Sequence, residues 1–341
     1  MTQTVLLTGI SGFIAKRIAR DLLDKGYRVR GTIRTARKAD EVRKALGPNG
    51  LDRLEFATLD LTRDAGWADA MEGVDALLHT ASPFPMTQPK DEMETIRPAV
   101  EGTQRALKAA LEAGVHRVVL TSSMVSIMHV DRPPNHDFGP EDWTDTDHPT
   151  ASPYVKSKTL AEKAAWDFVK EHPEIKLTTI HPGLVTGQPM DRHYGTSLQL
   201  VERVLSGRDP MQPDISLPVV DIEDVSALHI AALEQEGTVG QRIIAADDVR
   251  RLPQIAELLA RHFPDRKIAT RTAPKFLLRA IALVDGALKG ILPQVGRHVA
   301  IDNSASIPVL GRPFISSEEA LLRSARFIDR LSDEEGQKSA A

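Results

Sequence analysis

Short apolar, β-branched runs alternate with helix-length amphipathic stretches through the first two-thirds of the chain. The runs at 4–8, 27–33, 54–59, 76–80, 117–122 and 177–181 predict strands. They are nearly continuous in apolar character, the pattern of strands covered on both faces of a parallel sheet, with the helical stretches as crossovers. The clearest helix is 154–170, bounded by Pro153 and Pro173, with Leu160, Ala164, Ala165 and Phe168 on one stripe. After Gly183 the pattern becomes irregular, broken by Pro189, Pro210, Pro213 and Pro218. The segment 217–233 then regains apolar-plus-helix character, and 252–263, 276–292 and 317–331 predict further amphipathic helices. The most apolar of these, 276–292, is interrupted by Arg279, Asp285 and Lys289. It therefore lacks the ~20 uninterrupted apolar residues of a membrane span. The expected architecture is an α/β doubly wound parallel sheet with a smaller α/β substrate lobe interleaved in sequence. Residues 1–185, rejoined by 215–248, form the main domain; 186–214 and 249–330 form the lobe; 331–341 is a polar tail expected to fray.

Composition narrows the functional classes. The 341 residues carry 43 Lys and Arg against 47 Asp and Glu, a formal charge of −4, which argues against a nucleic-acid surface or a polybasic membrane contact. Cysteine is absent, which excludes disulfides, thiolate catalysis and Cys-ligated metal centres. The opening residues pass straight into a glycine motif, with neither the basic region nor the cleavage site of a secretion signal, so a cytoplasmic protein is expected.

The first strand runs into Gly9-Ile10-Ser11-Gly12-Phe13-Ile14-Ala15 and then into a helix with Phe13, Ile14, Ile18, Leu22 and Leu23 on its apolar face. Strand, glycine turn and helix are the context of dinucleotide binding. Gly9 permits the turn, Gly12 lets the backbone approach a pyrophosphate, and the helix start presents free N–H groups to it. Gly9, Gly12, Phe13 and Ile14 are thus candidate cofactor contacts, while Ala15 stands where a third glycine is usual. The second strand ends Gly31-Thr32-Ile33-Arg34, and no carboxylate follows until Asp40. A carboxylate at the strand end would accept from the ribose 2′-hydroxyl of NAD. Arg34 instead offers a planar fork of donors suited to a 2′-phosphate, with Arg37 and Lys38 as looser helpers, and this points to NADP(H).

Tyr154 and Lys158 lie four residues apart at the start of the 154–170 helix, hence on one face. A phenol with pKa ~10 keeps its proton at neutral pH and can act as a general acid, and a neighbouring ammonium is expected to lower that pKa. The strand at 117–122 ends in Thr121-Ser122-Ser123-Met124, placing hydroxyls at the carboxyl edge of the sheet, where open α/β folds bind ligands. One of them can polarise a carbonyl, and the residues leave Ser122 and Ser123 both open.

Taken together, VLLTGISGFIA, GYRVRGTIR, HTASPF, VVLTSSM, SPYVKSKTLAEKAAWDF and PVVDIEDVSALHIAAL resemble the extended short-chain dehydrogenase/reductase family over nearly the whole chain. The similarity is to its dihydroflavonol-reductase-like branch, which includes microbial NADPH-dependent aldehyde and ketone reductases. That resemblance implies a Rossmann-type domain and makes Ser123 the catalytic serine, beside Tyr154 and Lys158. It puts Thr80, Ala81 and Ser82 along the cofactor and Pro182, Gly183 and Val185 at the nicotinamide. Asp60 and Leu61 match the adenine contact, although Asp60 can equally cap the turn that follows it. In the wider family the helices around 98–113 and 154–170 form a dimer surface, so a homodimer is open to this chain.

The reaction implied is hydride transfer from NADPH to an aldehyde or ketone of a small-molecule substrate, with Tyr154 giving its proton to the carbonyl oxygen, Ser123 orienting that oxygen and Lys158 holding the nicotinamide ribose; no metal is required. A nucleotide-sugar epimerase or dehydratase shares these residues but usually carries Asn and Tyr in the loop here read as 183–188, which has neither. A β-hydroxysteroid-type dehydrogenase is a nearer alternative. A catalytically silent NADP sensor would have no need of Ser123, Tyr154 and Lys158 together. For the substrate, Pro83, Phe84, Met124, Val125 and the loop 189–194 are candidates for an apolar pocket or for packing between lobes. His79, His181 and His229 read as hydrogen-bonded core residues.

Overall fold

The structure, a computed structural model, describes residues 2–82, 91–283 and 290–340, with side chains to 332. In chain order the strands are β1 Thr4–Thr8, β2 Arg28–Ile33, β3 Leu54–Thr58, β4 Ala76–His79, β5 Arg117–Thr121 and β6 Asp137–Phe138. They continue with β7 Lys176–Pro182, β8 Leu184–Thr186, β9 Ser216–Asp221, β10 Arg242–Ala245, β11 Asp248–Arg251 and β12 Ala300–Ile301. The helices needed below are α1 Phe13–Asp24, α2 Arg37–Leu46, α3 Trp67–Met71, α4 Met93–Glu112, α5 Pro153–Glu171, α6 Thr196–Leu205, α7 Ile222–Glu234 and α8 Leu252–His262.

Seven strands form a wholly parallel sheet in the order β3-β2-β1-β4-β5-β7-β10. Strand order reverses between β1 and β4, and the loops leaving the carboxyl ends of those two strands flank the crevice in which doubly wound sheets bind nucleotides. The sheet is covered on both faces. On one, Ile18, Leu22 and Leu23 of α1 and Val225 and Leu228 of α7 pack with Val5, Leu7 and Val119; on the other, Leu107 and Ala110 of α4 and Ala165 of α5 pack with Leu6, Leu77 and Val118. Double coverage explains the uninterrupted burial of β4 and of all but the first residue of β7.

A second sheet, β11-β9-β8, stands beside the first, with β8 parallel and β11 antiparallel to β9. Its core joins Leu198 and Val201 of α6, Val219, Ile255 and Leu259 of α8, and Leu321 and Ala325 of the C-terminal helix Ser317–Ala340. The chain leaves β7 for β8 through Gly183, where a Cβ would lie 2.3 Å from the Pro218 carbonyl oxygen. Only glycine lets the two backbones approach so closely. Gly183→Ala is expected to push β9 from β8 and cost about 1–3 kcal/mol as an overpacking defect. Thermal unfolding measures this, and an unchanged Tm would show that the strands part freely.

Several elements differ from the sequence-based expectation. The segment 217–233 divides into β9 and α7, because Asp221 accepts from the Glu223 N–H at 2.8 Å and caps a new helix. The sheet gains β10, four residues long and absent from the expected strands. The expected helix 276–292 is helical over Lys275–Ile281 and turns again at Leu292–Gln294; residues 284–289 lie outside the described residues. The expected polar tail instead continues the C-terminal helix to Ala340. Among the described residues no helix is long and apolar enough to cross a membrane.

Candidate active site

Gly9 adopts φ +68°, and a Cβ on it would lie 2.9 Å from Ala81 Cβ, so the turn after β1 is closed to side chains twice over, by backbone and by space. Its N–H donates to Thr32 Oγ1 at 2.9 Å, and the Gly12 N–H returns to the Gly9 carbonyl at 2.8 Å, drawing the turn tight. Gly12 is the N-cap of α1 with no side chain over the helix start, which leaves that end open to an anion. Ala15 is buried, and its methyl is accommodated where the usual motif has hydrogen.

This turn lies in the wall of a cavity of about 470 Å³ that runs along the carboxyl edge of the sheet, from Arg34 and Asp60 past the turn to Ser123. Gly9, Gly12, Phe13, Ile14, Arg34, Asp60, Leu61, Thr80, Ala81, Ser82, Ser123, Tyr154, Lys158, Pro182, Gly183 and Val185 all line it. Thr80 and Ala81 are fixed by N–H donation to Thr8 Oγ1, both at 3.1 Å. Arg34 stands exposed just past β2. Arg37 and Lys38, the expected helpers, are not in the cavity wall: the Lys38 ammonium is 2.5 Å from Glu41, and Arg37 is 88% exposed. Asp60 lines the cavity and also caps the following turn, accepting from the Thr62 N–H at 2.9 Å and hydroxyl at 2.8 Å, bonds that hold its carboxyl below the usual range.

At the other end, Ser152 caps α5 and Pro153 occupies its first turn, so Tyr154 enters the helix at a fixed orientation. Tyr154 hydrogen-bonds with Ser123. Burial pushes the phenol above its ordinary pKa and the Ser123 bond pulls against it, so burial and not the expected influence of Lys158 governs its proton. A phenol held this way is protonated at neutral pH. Burial pushes the Lys158 ammonium down to about 8, opposed by the charge of Glu162. Both serines line the cavity, but Ser122 donates to Glu162 Oε2 at 2.6 Å, whereas Ser123 hydrogen-bonds with Tyr154.

The expected substrate wall is only partly placed. Met124 is not in the cavity wall; it is 1% exposed and packs with Ile127, Met128 and Phe138. Val125 also lies outside the wall, its N–H turned back to Ser123 Oγ at 3.4 Å. Pro83 and Phe84 lie outside the described residues. In the loop 189–194, Met190 packs on the main core, Tyr194 on the second, and Asp191 pairs with the buried Lys16, so these side chains join the two bodies of structure. Gly195, Thr196 and Ser197 also line the cavity and were missed in sequence, although a Gly-Thr-Ser start before an amphipathic run is a helix-opening signal.

The three histidines are interior. His79 bonds Thr8 Oγ1 at 2.9 Å, and burial, then Lys158, holds its ring near pKa 3. His229 Nδ1 donates to the Val225 carbonyl at 2.7 Å and its Nε2 meets Thr121 Oγ1 at 2.7 Å. His181 joins the buried cluster around Glu162.

A doubly wound sheet whose switch-point cavity holds a glycine turn, an arginine and a Ser-Tyr-Lys group is the frame of a nucleotide-cofactor enzyme. Comparison with known proteins gives the family: the sequence model of the NAD dependent epimerase/dehydratase family matches residues 5–246, and the chain belongs to that family. Cinnamoyl-CoA reductase 1 of Arabidopsis thaliana is 33% identical over 272 residues, 79% of this chain and 77% of that protein. The crystal structure of yeast methylglyoxal/isovaleraldehyde reductase Gre2 complexed with NADPH superimposes with a TM-score of 0.81 at 27% identity, covering 97% of this chain and 99% of that one. Gre2 of Candida albicans in complex with NADPH gives 0.80 at 27% identity, over 96% and 99% of the two chains.

Proposed function

We propose that this chain is an NADPH-dependent oxidoreductase that reduces an aldehyde or ketone carbonyl to an alcohol. The observation that carries the reading is one continuous cavity with Arg34 at one end and the Ser123–Tyr154 hydrogen bond and Lys158 at the other. The residues suit NADPH: the uncapped start of α1 takes the pyrophosphate, Arg34 the 2′-phosphate, Asp60 and Leu61 the adenine, Thr80, Ala81 and Ser82 the middle of the dinucleotide, and Pro182, Gly183 and Val185 the nicotinamide. Bound NADPH supplies the hydride.

The chain's own part is positioning and proton supply. Ser123 donates a hydrogen bond to the substrate carbonyl oxygen and orients it. Tyr154, protonated because burial raises its pKa, gives that oxygen its proton as the alcohol forms. Lys158 holds the ribose hydroxyls and places positive charge beside the phenolate left behind. In this reading residues 1–185 and 215–248 bind the cofactor and 186–214 with 249–330 close over the substrate. The enzyme works in the cytoplasm on a small molecule, with α4 and α5, side by side on one face of the sheet, available for pairing two copies.

The relatives named above carry reductase names for small aldehydes and an acyl-CoA, and the chain has only 15 aromatic residues to stack against a flavonoid. Both favour a general carbonyl reductase. Purified protein with NADPH is expected to oxidise the cofactor in the presence of methylglyoxal, isovaleraldehyde or aryl aldehydes, more slowly with dihydroflavonols. Absorbance at the NADPH band reads the result. No net consumption with any carbonyl would defeat the reductase reading and favour an enzyme that retains its nucleotide between half-reactions.

A further inference from the structure

Tyr154, Lys158 and Glu162 follow one another at four-residue intervals on α5 and share a face. The first two line the cavity; Glu162 lies beneath it, 1% exposed. Its Oε2 accepts from the Ser122 and Ser126 hydroxyls, each at 2.6 Å. Its Oε1 accepts from Arg242 Nε at 2.7 Å and lies 3.2 Å from both His181 Nε2 and Trp166 Nε1. Two of these partners adjoin Ser123: Ser126 Oγ, whose single proton is shared between the Glu162 carboxylate and the Ser123 carbonyl oxygen 2.8 Å away, and His181 Nδ1, 3.3 Å from the same carbonyl. The backbone of Ser123 is therefore held by groups that Glu162 holds, while Ser122, engaged by the same carboxylate, cannot compete for the substrate. On its upper side Glu162 shares with Lys158, Thr103 and Ser122 a void of about 10 Å³, roughly the space of one water.

We propose that Glu162 is a positioning residue for carbonyl reduction: it aligns the turn carrying Ser123 through Ser122, Ser126 and His181, and it stands beneath Lys158 as the buried countercharge of that ammonium. The inference rests on the reductase reading. Sequence pattern alone would leave a glutamate on this helix in solvent; here the ends of β5 and β7 and the side chain of Arg242 enclose it. The charge is maintained in the interior because His181 and Arg242 outweigh the cost of burial and hold Glu162 well below the usual carboxylate range. Lys158 is faced by Tyr154 and Glu162 from its own helix and by His79 from β4, which stays neutral above pH ~3. Among the described residues α4 and the end of β5 present only the hydroxyls of Thr103, Thr121 and Ser122 to the same space. Glu162 is thus the negative charge that opposes the loss of the Lys158 proton.

Glu162→Gln keeps the size and removes the charge. In the full-length protein we expect kcat to fall by about tenfold or more with NADPH affinity within about threefold, since the cofactor contacts are untouched. The alkaline limb of the pH–rate profile should move to lower pH by about half a unit or more, because a lysine without its countercharge loses its proton sooner. A purely structural glutamate would alter the yield or Tm and leave that limb in place. Ser126→Ala separates the alignment role, since it keeps the Glu162–Arg242 pair and removes only the hydroxyl between Glu162 and the Ser123 carbonyl. Here we expect kcat to fall about fivefold with the alkaline limb unmoved. A folded Glu162→Gln enzyme with kcat within about twofold and an unmoved limb overturns the proposal. If that variant does not fold, Ser126→Ala decides: reduced kcat at native NADPH affinity upholds it, and wild-type kcat overturns it. Wild-type turnover is the reference, so failure of the reductase reading appears in the wild type, and failure of this inference only in the variants.

Discussion

Tyr154→Phe is expected to cut turnover by roughly 10²–10⁴-fold, the range general acid catalysis contributes, while NADPH affinity changes little. The substitution removes one oxygen and keeps the ring that fills the start of α5. What disappears is the proton donor and its hydrogen bond with Ser123. Ser123 retains the Pro182 carbonyl, 3.4 Å from its hydroxyl, as a partner, so the strand end has no reason to collapse. Steady-state rates with the best carbonyl substrate, set beside NADPH titration by fluorescence, separate chemistry from binding. Turnover within a few-fold of wild type would take Tyr154 out of the reaction.

Arg34→Ala is expected to lower the preference for NADPH over NADH by about ten- to a hundredfold. Hydrogen bonds to a charged group are worth ~1.5–3 kcal/mol, and ~1.4 kcal/mol is a factor of ten. The change should fall on NADPH binding, since NADH has no 2′-phosphate to lose. The structure sharpens the expectation: Lys38 is paired with Glu41, and Arg37 lies outside the cavity wall, so neither stands ready to replace the missing guanidinium. Comparing kcat/KM for the two cofactors in wild type and variant measures it. An unchanged ratio would release Arg34 from this role.

The main sheet was legible because its inner strands are buried on both faces and so carry their signal in composition, as the Ala-Leu-Leu run of the wholly buried β4 shows. The second sheet was not. β8 has three residues and β11 reads Asp-Val-Arg-Arg, so neither has enough apolar residues to announce a strand, and both depend on pairing with β9. At the site, local spacing was sufficient to bring Tyr154 and Lys158 together and to place the glycine turn. It could not separate Ser122 from Ser123, because the contact that distinguishes them, Ser122 to Glu162, spans forty residues of the chain. Glu162 itself escaped notice because its burial is decided by Arg242, eighty residues further on. Met124, apolar and next to the serines, suited a substrate wall in sequence, yet the short turn after β5 rotates it into the cluster around Phe138.

The order of the strands in the two sheets bears on how this enzyme can be taken apart. β8 and β9 belong to the second sheet, β10 to the first, and β11 to the second again. The chain therefore changes sheets three times between Pro182 and Arg251. No single cut separates the first sheet from the second, so limited proteolysis should release neither as a stable fragment, and heat or denaturant should melt both together. For the protein engineer, exchanging the second sheet and its helices for those of a relative means transplanting several discontinuous segments at once. Altered selectivity is more accessible through point changes in the loops that span the crevice.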